Sequence, residues 1–160
     1  YSYTKRFTAL CHLVLGLGLA LSPIGAYLAV SGEFNIIPLL FSAAVLFWVS
    51  GFDIIYSLQD QAFDKEQKLH SIPVLIGKKN ALYLSNLLHF ITLSALSIAG
   101  SLGDFGLYYW IGFWVFSTLL VYQHTLVKHN DLSKINLAFF TTNGIASVIF
   151  GIFVLIDILN

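Results

Sequence analysis

The chain has 160 residues, 58% of them hydrophobic and only 10% charged, with eight basic and eight acidic side chains balancing to zero. Soluble domains carry about 25% charged residues, so this composition excludes an ordinary soluble fold and points to an all-α helical bundle in a lipid bilayer. Zero net charge leaves no basic footprint for nucleic acid, and one cysteine, Cys11, excludes an internal disulfide and reads as a small apolar filler.

The chain opens on YSYTKRF, without Met, and Lys5 and Arg6 stand at the entrance of the first apolar run. This reads as the interior of a longer protein rather than the stub of a cleaved signal. Five windows free of Asp, Glu, Lys and Arg follow, at 7–32, 34–52, 80–103, 105–127 and 135–156. Each comes to about the 20 residues a helix needs to cross the hydrocarbon layer, which predicts five transmembrane helices over roughly 7–31, 35–57, 80–101, 105–126 and 136–158. In the first, Gly16, Gly18, Ala20, Ser22, Gly25 and Ala26 let helices approach closely, and Pro23 predicts a local kink. His12 there, and His89 in the third, are expected to be satisfied by helix neighbours. The fourth begins with Tyr108, Tyr109 and Trp110, an interfacial aromatic belt. His124 and His129, five apart, are poorly spaced for a shared metal on one helix face. Asn143, within the fifth, reads as helix–helix glue or as a cavity-lining group.

Five spans place Lys5, Arg6, Lys65, Lys68, Lys78, Lys79, Lys128 and Lys134, which is every Lys and Arg, on one side of the membrane. By the positive-inside rule that side is cytoplasmic. It also holds the segment FDIIYSLQDQAFDKEQKLHSIPVLIG, which carries four acids between Asp53 and Glu66. If the second helix continues past the membrane surface, Asp53, Tyr56, Asp60 and Asp64 fall within about 80° of one another on its wheel. Asp60 and Asp64, one turn apart, repel, and a divalent cation would offset that. Mg²⁺ in particular takes one or two carboxylates plus substrate phosphates. The alternative is a solvated helix end whose acids pair with Lys65 and Lys68. Asp53, at the very end of an apolar run, favours function, because ionisable groups at membrane depth mark sites.

The pattern Asp53-x-x-Tyr56-x-x-x-Asp60-x-x-x-Asp64, followed by His70-Ser71 and Leu75-Ile76-Gly77, resembles the second aspartate motif of the UbiA superfamily of intramembrane aromatic prenyltransferases. YSYTKRFTALCHLVLGLGLALSPIGAYLAV resembles that family's entry into its fifth helix, and VYQHTLVKHNDLSKINLAFFTTNGIAS its link into the last. The resemblance implies a nine-helix bundle with a central cavity opening to the cytoplasm, of which this chain supplies helices five to nine as one domain of a bacterial inner-membrane protein. Asp60 and Asp64 would be ligands of Mg²⁺ on a polyprenyl diphosphate. Asp53 and Tyr56 would be catalytic, and Lys5, Arg6 and His70 would bind substrate. The acceptor would be a hydroxylated aromatic acid, 4-hydroxybenzoate for ubiquinone, or a menaquinone precursor. The family's first motif, Asn-Asp-x-x-Asp-x-x-x-Asp, has no match here, so the 160 residues alone are expected to be inactive. A cation-coupled transporter would need polar residues recurring along several spans, and the last three offer few. A CDP-alcohol phosphotransferase would need Asp-Gly and Ala-Arg pairs that the chain lacks.

Overall fold

A computed structural model describes residues 2–160. After a 3₁₀ turn at Ser2–Arg6, the helices are α1 (Cys11–Ser31), α2 (Ile36–Ser57), α3 (Gln61–Glu66), α4 (Ile72–Leu102), α5 (Leu107–Leu126) and α6 (Asn143–Leu159), with a π-helical turn, Leu137–Thr142, leading into α6. Among the described residues the only strand-like pairing is an isolated bridge between Lys128 and Asp131.

Local chemistry sets the boundaries. The Asn35 side chain accepts the Ile37 N–H at 2.9 Å and caps α2. Gly32, at φ +73°, closes α1 through its N–H to the Leu28 carbonyl. Pro23 leaves α1 continuous, and the neighbouring Ile24 N–H reaches Ser42 Oγ on α2 at 3.2 Å. Two boundaries differ from the sequence expectation. The second helix does not run on through the acids. It stops at Ser57, whose hydroxyl turns back to the Ile54 carbonyl at 2.9 Å, and a turn intervenes before α3. The third long helix starts at Ile72 instead of near 80, with Pro73 in its first turn and a corner at Gly77. The φ of +79° at Gly77 is one that only glycine adopts freely.

Helices α1, α2, α4 and Leu137–Leu159 are long and apolar enough to cross a membrane. α5 matches them in length at 20 residues. Its tyrosines, tryptophans, Gln123 and His124 make it less apolar, so four of the five expected spans are supported by composition.

α2 is the central helix, packed on α1 and α4, while α5 pairs mainly with α6. Gly16 lets α1 lie against the Leu46 carbonyl and Ser50, and Gly51 seats the ring of His89. Hydroxyl bonds cross the same contacts: Ser50 Oγ donates to the His12 carbonyl at 3.2 Å, and Ser85 Oγ to the Gly51 carbonyl at 2.7 Å. One apolar core surrounds Ile54, Leu58, Ile72, Leu88 and Ala138, beside the acidic segment. The other surrounds Ala44, Leu96, Tyr109, Phe113 and Phe116. Large apolar side chains such as Leu17, Leu21, Val30, Phe90 and Val148 remain exposed, as lipid-facing positions do.

Candidate active site at the basic end of the bundle

The 3₁₀ turn, the end of α2, α3 and the start of α4 meet at the end of the bundle that carries every Lys and Arg. Despite the break after Ser57, the acids stay together. Asp53 is 4% exposed and Asp64 1%. Lys5 Nζ lies 3.0 Å from Oδ2 and 3.3 Å from Oδ1 of Asp64, so both carboxylate oxygens face one ammonium. Partial burial pushes the Asp60 carboxyl above the ordinary carboxylate range. The Lys5 charge opposes this, and the charges of Asp64 and Asp53 add to it. Asp60 therefore sits in one electrostatic neighbourhood with the other three groups.

Asp53 has a partner that the sequence did not reveal. His12, fully buried on α1, places Nδ1 2.6 Å from Asp53 Oδ2, and its Nε2 receives the Ile72 N–H at 3.4 Å. This pattern assigns the proton to Nδ1, so the ring donates to the carboxylate and accepts from α4. One imidazole thereby ties three helices around the acid. No local signal could have found it, since 41 positions separate the pair.

The remaining expected residues are placed as follows. Tyr56 packs its ring on Phe139 at 4.2 Å between centroids and on Phe140 at 5.9 Å. His70 has an exposed side chain and contributes through its backbone: its N–H donates to the Lys5 carbonyl at 2.6 Å, and its carbonyl receives the Cys11 thiol at 3.8 Å. Arg6 is exposed, with its guanidinium 5.2 Å from the centre of the Tyr3 ring, and borders a shallow hollow with Phe63 and Lys68. Gln61 donates its amide to the Pro73 carbonyl and so fastens α3 to α4.

Below the acids, an aromatic stripe runs down α2. Trp48 and Phe52 meet edge-on at 5.3 Å, Phe52 meets Phe139 at 5.4 Å, and Trp48 meets Phe116 at 5.6 Å. The stripe leads into a cavity of about 370 Å³ between α2, α4, α5 and α6, lined by Phe41, Trp48, Leu96, Phe116 and Phe150 among others. An acidic, Lys-containing cluster at one end of the stripe and a mainly apolar hollow at the other suit an amphiphile with a charged head and a hydrocarbon body.

Among the described residues no group of three His, Cys, Asp or Glu side chains converges as a metal cage. Asp60 and Asp64 are hard oxygen donors beside a repelling Asp53, and Mg²⁺ commonly uses one or two carboxylates completed by water and phosphate oxygens. The residues fit a metal shared with a phosphate ligand and do not fit a closed protein cage.

Comparisons with known proteins bear on the family and the fold. A 4-hydroxybenzoate octaprenyltransferase from Tolumonas auensis is 30% identical over 151 residues, covering 94% of this chain and 52% of the relative. One from Francisella tularensis subsp. mediasiatica is 31% identical over 155 residues, covering 97% and 54%. The chain thus spans about half the length of the curated relatives it matches. The apo structure of a UbiA homolog from Aeropyrum pernix K1 superposes with a TM-score of 0.85 at 28% identity, over 98% of this chain and 58% of that one. Since the profile of the UbiA prenyltransferase family matches residues 1–145, and the helices follow those of a solved homolog nearly end to end, the chain belongs to that family.

Proposed function

We propose that the full-length protein transfers a polyprenyl group from a polyprenyl diphosphate to a hydroxylated aromatic acid, 4-hydroxybenzoate in quinone biosynthesis, with Mg²⁺ and with its site facing the cytoplasm of a bacterial inner membrane. The observation that carries the reading is the gathering of Asp53, Asp60, Asp64 and Lys5 at the end of α2 from which an aromatic stripe leads to a mainly apolar hollow. Curated relatives bearing the octaprenyltransferase name support the substrate class. Asp60 and Asp64 would hold the metal, with further ligands from the first aspartate motif that the family carries outside this stretch. Bound there, Mg²⁺ supplies Lewis-acid withdrawal of charge from the leaving diphosphate.

The chain's own residues do the rest. Lys5 offsets phosphate charge from its place against Asp64. Asp53, oriented by His12, holds the acceptor's phenol. Tyr56, Phe139 and Phe140 present rings whose faces stabilise an allylic cation. The apolar walls exclude the water that would quench that cation and receive the hydrocarbon tail. The test uses the full-length protein with labelled polyprenyl diphosphate and a panel of phenolic acids. Asp60→Asn and Asp64→Asn should each reduce Mg²⁺-dependent transfer by more than about 100-fold. Rates near the parent's in both variants would overturn the assignment.

A further inference from the structure

α4 and α5 touch only lightly, and away from the turn that joins them they part to leave two abutting hollows that share Asn86 and His124. The hollow at the basic end, about 430 Å³, is bordered by Lys79, Lys128, His129 and Asn130, and no acidic side chain lines it. Asp131, in the same loop, has its carboxylate engaged by the N–H and hydroxyl of Ser133 and also feels the charges of Lys134 and Lys128. The second hollow, about 440 Å³, continues toward the membrane interior between Phe90, Leu93, Leu120 and Val121. Its rim is exposed and hydrophobic, with Phe90 67% and Val121 63% exposed, so it opens sideways into hydrocarbon. A pair of imidazoles crosses the floor between the two: His89 Nε2 donates to the Trp48 carbonyl at 3.3 Å, and His124 Nε2 lies 2.8 Å from His89 Nδ1.

Basic at the interface and apolar beneath it, this groove has the polarity of an anionic phospholipid. We propose that it is a binding site for one such lipid, distinct from the acidic site, with the phosphate at Lys79 and Lys128 and one acyl chain along Phe90, Leu93 and Val121. Basic recesses between transmembrane helices recognise anionic headgroups in this way. The volume of each hollow is within the range of small-molecule sites. A pre-shaped floor lowers the ordering cost of binding. The occupant is anionic lipid and not free phosphate, because Phe90, Leu93, Leu120 and Val121 give the deeper half of the groove a mainly hydrocarbon wall.

The experiment uses the full-length protein in mixed micelles and reads bound lipid by native mass spectrometry. Phosphatidylglycerol should be retained in clear preference to phosphatidylcholine. The double variant Lys79→Gln/Lys128→Gln, altering two exposed side chains, should lose about tenfold in phosphatidylglycerol retention while keeping its helicity. Val121→Trp, which fills the apolar half, should lower retention of both lipids. Phosphatidylglycerol with a photoreactive acyl chain should label peptides around Phe90 and Val121. An unchanged preference in the lysine variant, equal displacement by inorganic phosphate, or labelling confined to other helices would overturn the proposal. Cross-linking of the Phe90–Val121 surface to the protein's own remaining half would overturn it as well.

Discussion

The Lys5–Asp64 pair offers the sharpest test of how this site is held. Replacing Lys5 by Met keeps the aliphatic stem and removes the ammonium that faces both oxygens of a carboxyl group 1% exposed. Breaking a buried pair by deleting one partner costs roughly 3–5 kcal/mol. Lys5 itself keeps 15% of its side-chain exposure, so the lower part of that range applies. We therefore expect Lys5→Met to lose about 3 kcal/mol at pH 7. Lys5→Met/Asp64→Leu, which removes both charges, should recover to within about 1 kcal/mol of the parent. Reversible unfolding of the full-length protein in mixed micelles, followed by helicity, measures all three. A single-variant loss below about 1 kcal/mol, or a double variant no more stable than the single one, would refute the reasoning.

Two further outcomes follow from the packing and the loop. Gly16→Ala should destabilise by roughly 1–3 kcal/mol, since the new methyl meets the Leu46 backbone, whereas Gly18→Ala, facing open space, should be neutral or stabilising by up to about 1 kcal/mol; the same unfolding assay compares them. Ser133 hydrogen bonds hold the Asp131 carboxyl below the usual range, so Ser133→Ala should let it rise toward the ordinary value, read by carbon NMR titration. Because the depressed folded value supports the loop only above it, order around the Lys128–Asp131 bridge should fade at a higher pH in the variant as acid is added.

The long helices were legible because charge is nearly absent from whole windows of the chain, a signal of composition that survives any packing. The acidic segment was legible from spacing, and Asp53, Asp60 and Asp64 do share one neighbourhood. The reason differs from the one the wheel suggests. The chain breaks after Ser57, and the turn plus α3 returns Asp64 to Lys5. A hydroxyl bonding its own helix three residues back is a local competition that periodicity cannot register. The sequence predicts that helix neighbours satisfy His12, as they do, but which neighbour is set by how α1 crosses α2 at Gly16 and Ser50. The roles of Phe139 and Phe140 were equally hidden, because a π-helical turn changes the register in which side chains reach α2.

Asp157, near the end of α6, has a meaning that its position on the rim hides. Its two carboxylate oxygens receive the Gly106 N–H at 2.7 Å and the Tyr109 N–H at 3.1 Å, filling the place of a side-chain cap that α5 lacks in its own sequence. The first turn of α5 is thus finished by a residue synthesised about fifty positions later. A helix whose opening amides wait for a borrowed acid, and which carries three tyrosines, Gln123 and His124, has little reason to enter the membrane by itself. The last two helices should partition into lipid as a single hairpin, with α5 remaining provisional until its successor arrives.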